Sequence, residues 1–161
     1  MPKQNLDNLD ITILSMLSEN ARKPYLEISR ECGVSGAAVH QRIQRLNAAG
    51  VILRSQCVID PAALGYETSA FVGIIMSDPH HYDAVIKYLE GMPEVVECYC
   101  TGGRCDILVK MFARNNEHLL DMLINLQRKC NVRTQTMISF KQVFDRQSPV
   151  LNTLRKEENK K

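Results

Sequence analysis

The 161-residue chain contains no run of 18 apolar residues, so no membrane-spanning helix is expected. Its first ten residues, MPKQNLDNLD, lack the apolar core of a signal peptide, and a cytoplasmic protein is expected. An excess of one charge is missing too. Twenty Lys and Arg against eighteen Asp and Glu leave +2, too little to argue for nucleic-acid binding by itself. The six cysteines lack a secretory context, so a disulfide framework is not expected. Cys98 and Cys100 are two apart and face the same side of a strand. With Cys105 they spell Cys-x-Cys-x4-Cys, which is not a common zinc spacing, and no histidine adjoins them. They read as buried free thiols serving as small apolar residues, with no metal, and with a redox or metal sensor as the alternative. What remains is 45% apolar, enough for packed cores in one or two small domains.

The most informative stretch is Tyr25–Gly50, YLEISRECGVSGAAVHQRIQRLNAAG. It reads as two short helices joined by a tight turn. Leu26, Ile28 and Cys32 are expected to face inward, and Ser29 is small enough for a close helix crossing. Gly33 sits where the turn needs a left-handed backbone, which glycine adopts without steric cost. Val34 plugs the corner and Ser35 is a good N-cap for the next helix. Val39, Ile43 and Leu46 then repeat at spacings of four and three, giving one apolar stripe. Gly50 ends the pattern.

With that stripe inward, Ala37, Gln41, Gln44 and Ala48 point outward. His40 and Arg45 flank them, and Arg42 lies nearer the core. Between Ser35 and Arg54 there are three arginines and no acid. Arg and Gln can hydrogen-bond base edges in a major groove, and small residues allow close approach. The alternative reading is a solvated amphipathic helix in a helical hairpin. As a DNA reader, the segment would use Gln41, Gln44 and Arg45 on bases, beside the small Ala37. Ser35, His40, Arg42 and Arg54 would meet phosphates, or Arg42 could form an ion pair within the protein.

An earlier helix is capped by Asp7, with Asp10 completing a capping box. Its inner stripe is Leu9, Ile13 and Leu17. After Gly50, VILRSQCVID reads as a strand leaving the bundle, and Asp60-Pro61 breaks it. The expected divisions are residues 1–60, a helix-turn-helix domain with a connecting strand; 61–146; and a charged tail, 147–161, expected to be disordered.

The second half alternates differently. Ser69–Ser77 reads as a buried strand, Asp78-Pro79 opens a helix, and Gly91-Met92-Pro93 ends it. Val95–Thr101 and Cys105–Ala113 are strands around a Gly102-Gly103 turn. A helix capped by Asn115 or Asn116 follows. Val132–Val143 is the last strand, with Thr134, Thr136, Ile138 and Phe140 on one face. The order β-α-β-β-α-β is the ferredoxin-like arrangement, with helices on one sheet face. The other face is expected to be apolar, through residues such as Val72, Ile74 and the Ile107/Val109/Met111 set or its neighbours. Such a face calls for cover by another subunit.

Four segments in this order, LDNLDITILSML, LEISRECGVSGAAVHQRIQRLNAAGVI, IDPAALGY and ECYCTGGRCDILVKMF, resemble the Lrp/AsnC family of transcription regulators. The resemblance runs from Leu6 to about Phe144. It implies an α+β chain: an N-terminal three-helix (winged) helix-turn-helix domain, then a ferredoxin-like βαββαβ effector and oligomerisation domain. It further implies double-stranded DNA as partner, a nucleoid-associated location, homodimers that assemble to octamers, and a small effector, commonly an amino acid, with no other cofactor.

A free amino acid presents a carboxylate, which needs exposed backbone N–H groups or a cation, and an ammonium, which needs acceptors. The hairpin Thr101-Gly102-Gly103-Arg104-Cys105-Asp106 can supply both. The family's Gly-x-x-Asp element matches Gly103 and Asp106, and its use of the last strand suggests Thr134 and Thr136, with Met137 or Ile138. Tyr99 could form an aromatic wall. The hairpin could equally be a plain turn, with Asp106 capping it or paired to Arg104. Arg104-Cys105 departs from the polar–aromatic pair of many relatives, which leaves the ligand open. Siroheme decarboxylases share this architecture. Here His40, His80, His81 and His118 all fall outside the pocket strands, so an enzyme is not expected. An architectural DNA binder without a ligand is the third reading.

Overall fold

A computed structural model describes residues 5–146 of the chain. The chain divides into two compact units, one reaching Val58 and the other spanning Ile59–Val143. The tail expected to be disordered begins at Gln147 and lies outside the described residues.

The first unit holds three helices: α1 (Asn8–Glu19), α2 (Tyr25–Cys32) and α3 (Gly36–Ala48). The capping box forms as the sequence implies. The Asp7 carboxylate accepts from the Asp10 amide at 2.8 Å, and the Asp10 carboxylate accepts from the Asp7 amide at 3.2 Å. Two otherwise unpaired helix N–H groups are thereby satisfied. Gly33 adopts φ +65°, the left-handed conformation that lets α2 stop and α3 start one residue pair later. Ser35 caps α3 by accepting from the Ala38 amide at 3.2 Å. Ile13, Ile28, Val39 and Ile43 form the core, with Leu9, Met16, Leu17, Cys32 and Val34 around it.

Leu26 is a correction: it is exposed, whereas Ile28 and Ser29 are buried. Residues two apart on a helix lie about 200° apart, so Leu26 and Ile28 cannot share a face. A second correction concerns residues 51–60. No strand forms there, and Leu53, Val58 and Ile59 are exposed. β-branched residues favour an extended backbone, but a strand needs a neighbour to accept its N–H groups. Among the described residues the unit therefore has no wing.

In the second unit, a short 3-10 turn at Ala62–Leu64 precedes β1 (Thr68–Met76). Then follow α4 (Tyr82–Glu90), β2 (Val95–Cys100), β3 (Ile107–Ala113), α5 (Asn116–Cys130) and β4 (Val132–Ser139). Asn115 caps α5 by accepting from the His118 amide at 2.8 Å. The four strands are antiparallel in the order β2-β3-β1-β4, the ferredoxin-like topology. β4 ends at Ser139, short of the expected Val143, because β1 starts at Thr68 and its pairing with β4 ends at Ser69–Ser139.

Register fixes which residues meet the helices. Ala70, Val72 and Ile74 of β1 lie level with Ile107, Val109 and Met111 of β3, and all six are buried with Val85, Leu89, Leu119, Met122 and Leu126. Each such side chain removed from water contributes about 1.5–3 kcal/mol before the cost of ordering it. Val72, Ile74, Ile107, Val109 and Met111 thus line the helix-covered face, not the open one. The open face carries their neighbours of opposite parity, Phe71, Gly73, Ile75, Leu108, Lys110 and Phe112.

Candidate functional site

The outer face of α3 is built as its periodicity requires. Val39, Ile43 and Leu46 are buried, while Ala37, His40, Gln41, Gln44 and Ala48 are exposed. Ser35 is exposed at the helix start and Arg54 is exposed beyond its end. The face that turns outward is free of acids and rich in amide donors and acceptors, the pattern a major-groove helix uses.

The two arginines of this helix are not free of partners. Asp10 on α1 is buried, its side chain only 1% exposed, and it accepts from both. Arg42 reaches Asp10 at 2.9 Å and Asp7 at 2.5 Å, and Arg45 reaches Asp10 at 2.5 Å. Arg42 is mostly enclosed, and its two carboxylates push its guanidinium pKa up. In turn, the Arg42 guanidinium and the Asp10 amide hold the Asp7 carboxyl below its ordinary range. Arg42 therefore fastens α3 to α1, which is the ion pair the sequence left open. Arg45 keeps a 55% exposed side chain, and a guanidinium has five N–H donors, so one ion pair leaves donors to spare. Tyr25 on α2 packs against His40, with ring centroids 5.8 Å apart. No periodicity signals that contact.

The effector candidates converge at one end of the sheet. The turn between β2 and β3 is closed by the Thr101 amide donating to the Asp106 carbonyl at 2.9 Å and the Thr101 hydroxyl donating to the Cys105 carbonyl at 2.8 Å. Gly102, Gly103 and Arg104 are exposed at its tip, and Gly103 has φ +140°, a conformation that favours glycine. The Asp106 amide donates to the Ile74 carbonyl at 2.9 Å, and its carboxylate accepts from the Met76 amide at 2.7 Å. Asp106 thus ties the hairpin to the end of β1 and leaves one carboxylate oxygen outside that bond.

Thr134 is level with Ile74 on the other side of β1, so it stands at the same sheet end. It and Thr136, level with Val72, share the helix-side parity, and Thr134 accepts from Gln127 of α5 at 2.6 Å. Tyr99 is level with Leu108 and belongs to the open face, where its hydroxyl donates to Glu97 at 2.8 Å. Within one chain, Thr101 to Asp106 and Thr134 stand at the same end of the sheet, Thr136 sits further along β4, and Tyr99 lies on the sheet face opposite Thr134 and Thr136. The three clustered cysteines separate in the same way. Cys98 and Cys100 are level with Val109 and Ile107 on the helix side but are exposed on the edge strand, correcting the expectation of buried thiols, whereas Cys105 packs over Gly73 of the open face. A Cβ built on Gly73 would stand 3.1 Å from Cys105 Cβ, so glycine makes room for that approach.

Comparisons with known proteins agree with both halves. Residues 6–47 match the AsnC-type helix-turn-helix domain and residues 69–149 the Lrp/AsnC ligand binding domain. The regulatory protein AsnC of Haemophilus influenzae is 35% identical over 153 residues, covering 94% of this chain and 98% of that protein. The solved structure of Escherichia coli AsnC superimposes with a TM-score of 0.81 at 34% identity, covering 89% of this chain and 97% of the other. A feast or famine regulatory protein from M. tuberculosis, solved with L-methionine, gives 0.82 at 29% identity with the same coverage. Two domain matches in order, a relative aligned almost end to end and a shared topology make this chain a member of the Lrp/AsnC family, a DNA-binding transcriptional regulator.

Proposed function

We propose that α3 reads DNA through Gln41 and Gln44, with Arg45 reaching a base or phosphate from its ion pair with Asp10. The observation that supports this reading is the exposed, acid-free outer face of α3. Ser35, His40 and Arg54 meet phosphates, Ala37 allows close approach, and Arg42 positions the helix. Phosphate contacts set affinity and salt dependence, and base contacts set specificity. One helix offers few contacts, so a homodimer presents two to successive major grooves, about 34 Å apart. Octamers would array such pairs.

The effector in this reading is an amino acid, as in the M. tuberculosis relative with L-methionine. The amides of Gly102, Gly103 and Arg104 take its carboxylate and the open Asp106 oxygen takes its ammonium, with Thr101 and Thr134 alongside. In one chain Tyr99 is on the other sheet face from Thr134, and Thr136 lies further along β4; in this reading both enter only if a second subunit completes the pocket. The protein acts in the cytoplasm, at the nucleoid, and is not an enzyme. His80, His81 and His118 lie on the second unit outside the hairpin, and His118 accepts from the Arg114 amide at 3.2 Å.

A thermal-shift series with the twenty amino acids tests the effector reading, because a ligand that binds the native state raises the melting temperature. One or a few amino acids should raise it, and Asp106→Ala should remove the rise while leaving DNA binding intact. No shift with any amino acid, or an unchanged shift in Asp106→Ala, contradicts the assignment.

A further inference from the structure

The second unit contains an open cavity of about 590 Å³ between α4 and the edge strand β2, reaching along β2 to Cys100. Its walls include Ile86, Leu89 and Val95, and both Cys98 and Cys100 open onto it. The register places these two thiols on one side of β2, separated by one residue, and both side chains are exposed. Partial desolvation by its neighbours and the nearby Glu90 push the Cys98 thiol pKa up. The Tyr82 phenol is likewise pushed up by the Cys100 thiol beside it.

Geometry decides what such a pair can do. Same-side residues on a strand are about 6.6 Å apart. A disulfide needs its Cβ atoms within about 3.5–4.5 Å, so this pair is too wide to bridge directly. Two metal–thiolate bonds of about 2.3 Å laid end to end span about 4.6 Å. Thiols leaning slightly toward each other match that span. Among the described residues no three His, Cys, Asp or Glu side chains converge into a metal site, which argues against tetrahedral zinc. A soft d10 cation that takes two ligands in line needs only the pair. Charge then selects among such cations. Asp83 and Glu90 line the cavity against the single Lys87; Glu97 also borders it but turns its carboxylate to Tyr99 and Lys110 on the open face. A monovalent cation replacing two protons would leave a net negative complex beside those carboxylates. A divalent one replaces two protons with no change in charge.

We propose that Cys98 and Cys100 form a two-coordinate site for a soft divalent cation, for which mercuric ion is the probe. Binding forms two S–metal bonds and releases the two thiol protons to solvent, with no change of oxidation state. Cys100 adjoins Thr101 of the effector hairpin, but the site uses none of the hairpin's residues and does not depend on the proposed amino-acid reading.

The test uses the reduced full-length chain in a Cys57→Ser background, which removes an exposed thiol of the first unit. One equivalent of Hg(II) is added with excess glutathione, the protein is desalted, and retained metal and its X-ray absorption are measured. Expected are one Hg(II) per chain with two sulfur neighbours, loss of retention in Cys98→Ser and in Cys100→Ser, and full retention in Cys105→Ser. Retention that survives either of the first two changes overturns the site, as does three- or four-sulfur coordination. Loss in Cys105→Ser also overturns it, and so does tight retention of Zn(II) in the same assay.

Discussion

Arg45 of α3 donates to Asp10 at 2.5 Å, and Asp10 is a buried residue of a different helix, 35 positions earlier. The same carboxylate accepts from Arg42 at 2.9 Å and serves in the cap of α1. One buried anion therefore sets where α3 sits on α1, and it does so through both arginines of α3.

Removing that anion leaves Arg42 with Asp7 alone and Arg45 without its anchor. Asp10→Ala is expected to destabilise the chain by about 1–3 kcal/mol, the range for losing hydrogen bonds to a charged group when the arginines left behind still reach solvent. Arg45→Ala should cost less, because Arg42 still pairs with Asp10. Urea unfolding of the two variants, with the double mutant to measure coupling, checks the order.

Asp7 gives a pH signature. Its pKa is lowered in the folded state, first by the Arg42 hydrogen bond and then by the Asp10 amide. A lowered folded pKa means that the contribution is fully present above the unfolded value of about 3.9 and is lost as pH falls through the folded value. Asn caps a helix as well as Asp does, so Asp7→Asn removes the ion pair and keeps the cap. The stability gap between wild type and Asp7→Asn should be constant near neutral pH and close on acidification below about pH 4. A gap that stays constant into acid contradicts the pair.

Gly33 isolates backbone strain. A Cβ at this position would meet no atom within 4 Å, yet φ is +65°. Gly33→Ala is expected to cost about 1–2 kcal/mol with no clash to relieve, and Gly33→Asn less, since Asn tolerates the left-handed region. Thermal unfolding of the two variants measures the difference.

Local signals carried far in this chain. The Asp7/Asp10 cap, the Gly33 turn, the Val39/Ile43/Leu46 stripe and the order of strands and helices all rest on residues within a few positions of each other. What depended on register was hidden. Ser69–Ser77 is apolar at nearly every position, so it has no alternation to say which parity meets the helices. The composition alone therefore does not place Val72 and Ile74 on the helix-covered face, where the pairing with β3 puts them. Tyr99 and Thr136 look compatible as pocket residues in sequence, and only the pairing of β2 with β3 and of β1 with β4 separates them. Residues 51–60 had the composition of a strand, but composition cannot supply the partner a strand needs. The Arg45–Asp10 pair joins two helices and leaves no trace in the spacing of either.

The most direct test of the account is sequence-specific DNA binding by a Gln41→Ala/Gln44→Ala variant. Neither glutamine touches the Asp10 pairs, so the fold of α3 on α1 is left alone. A binding site is first selected with the wild-type protein from a random duplex pool, then retardation of that site and of unrelated DNA is measured across a salt series. The account expects the double variant to lose its preference for the selected site, at about 1–3 kcal/mol per lost base contact, while retaining non-specific binding with the same salt slope. Undiminished preference for the selected site would show that the outer face of α3 does not read the bases.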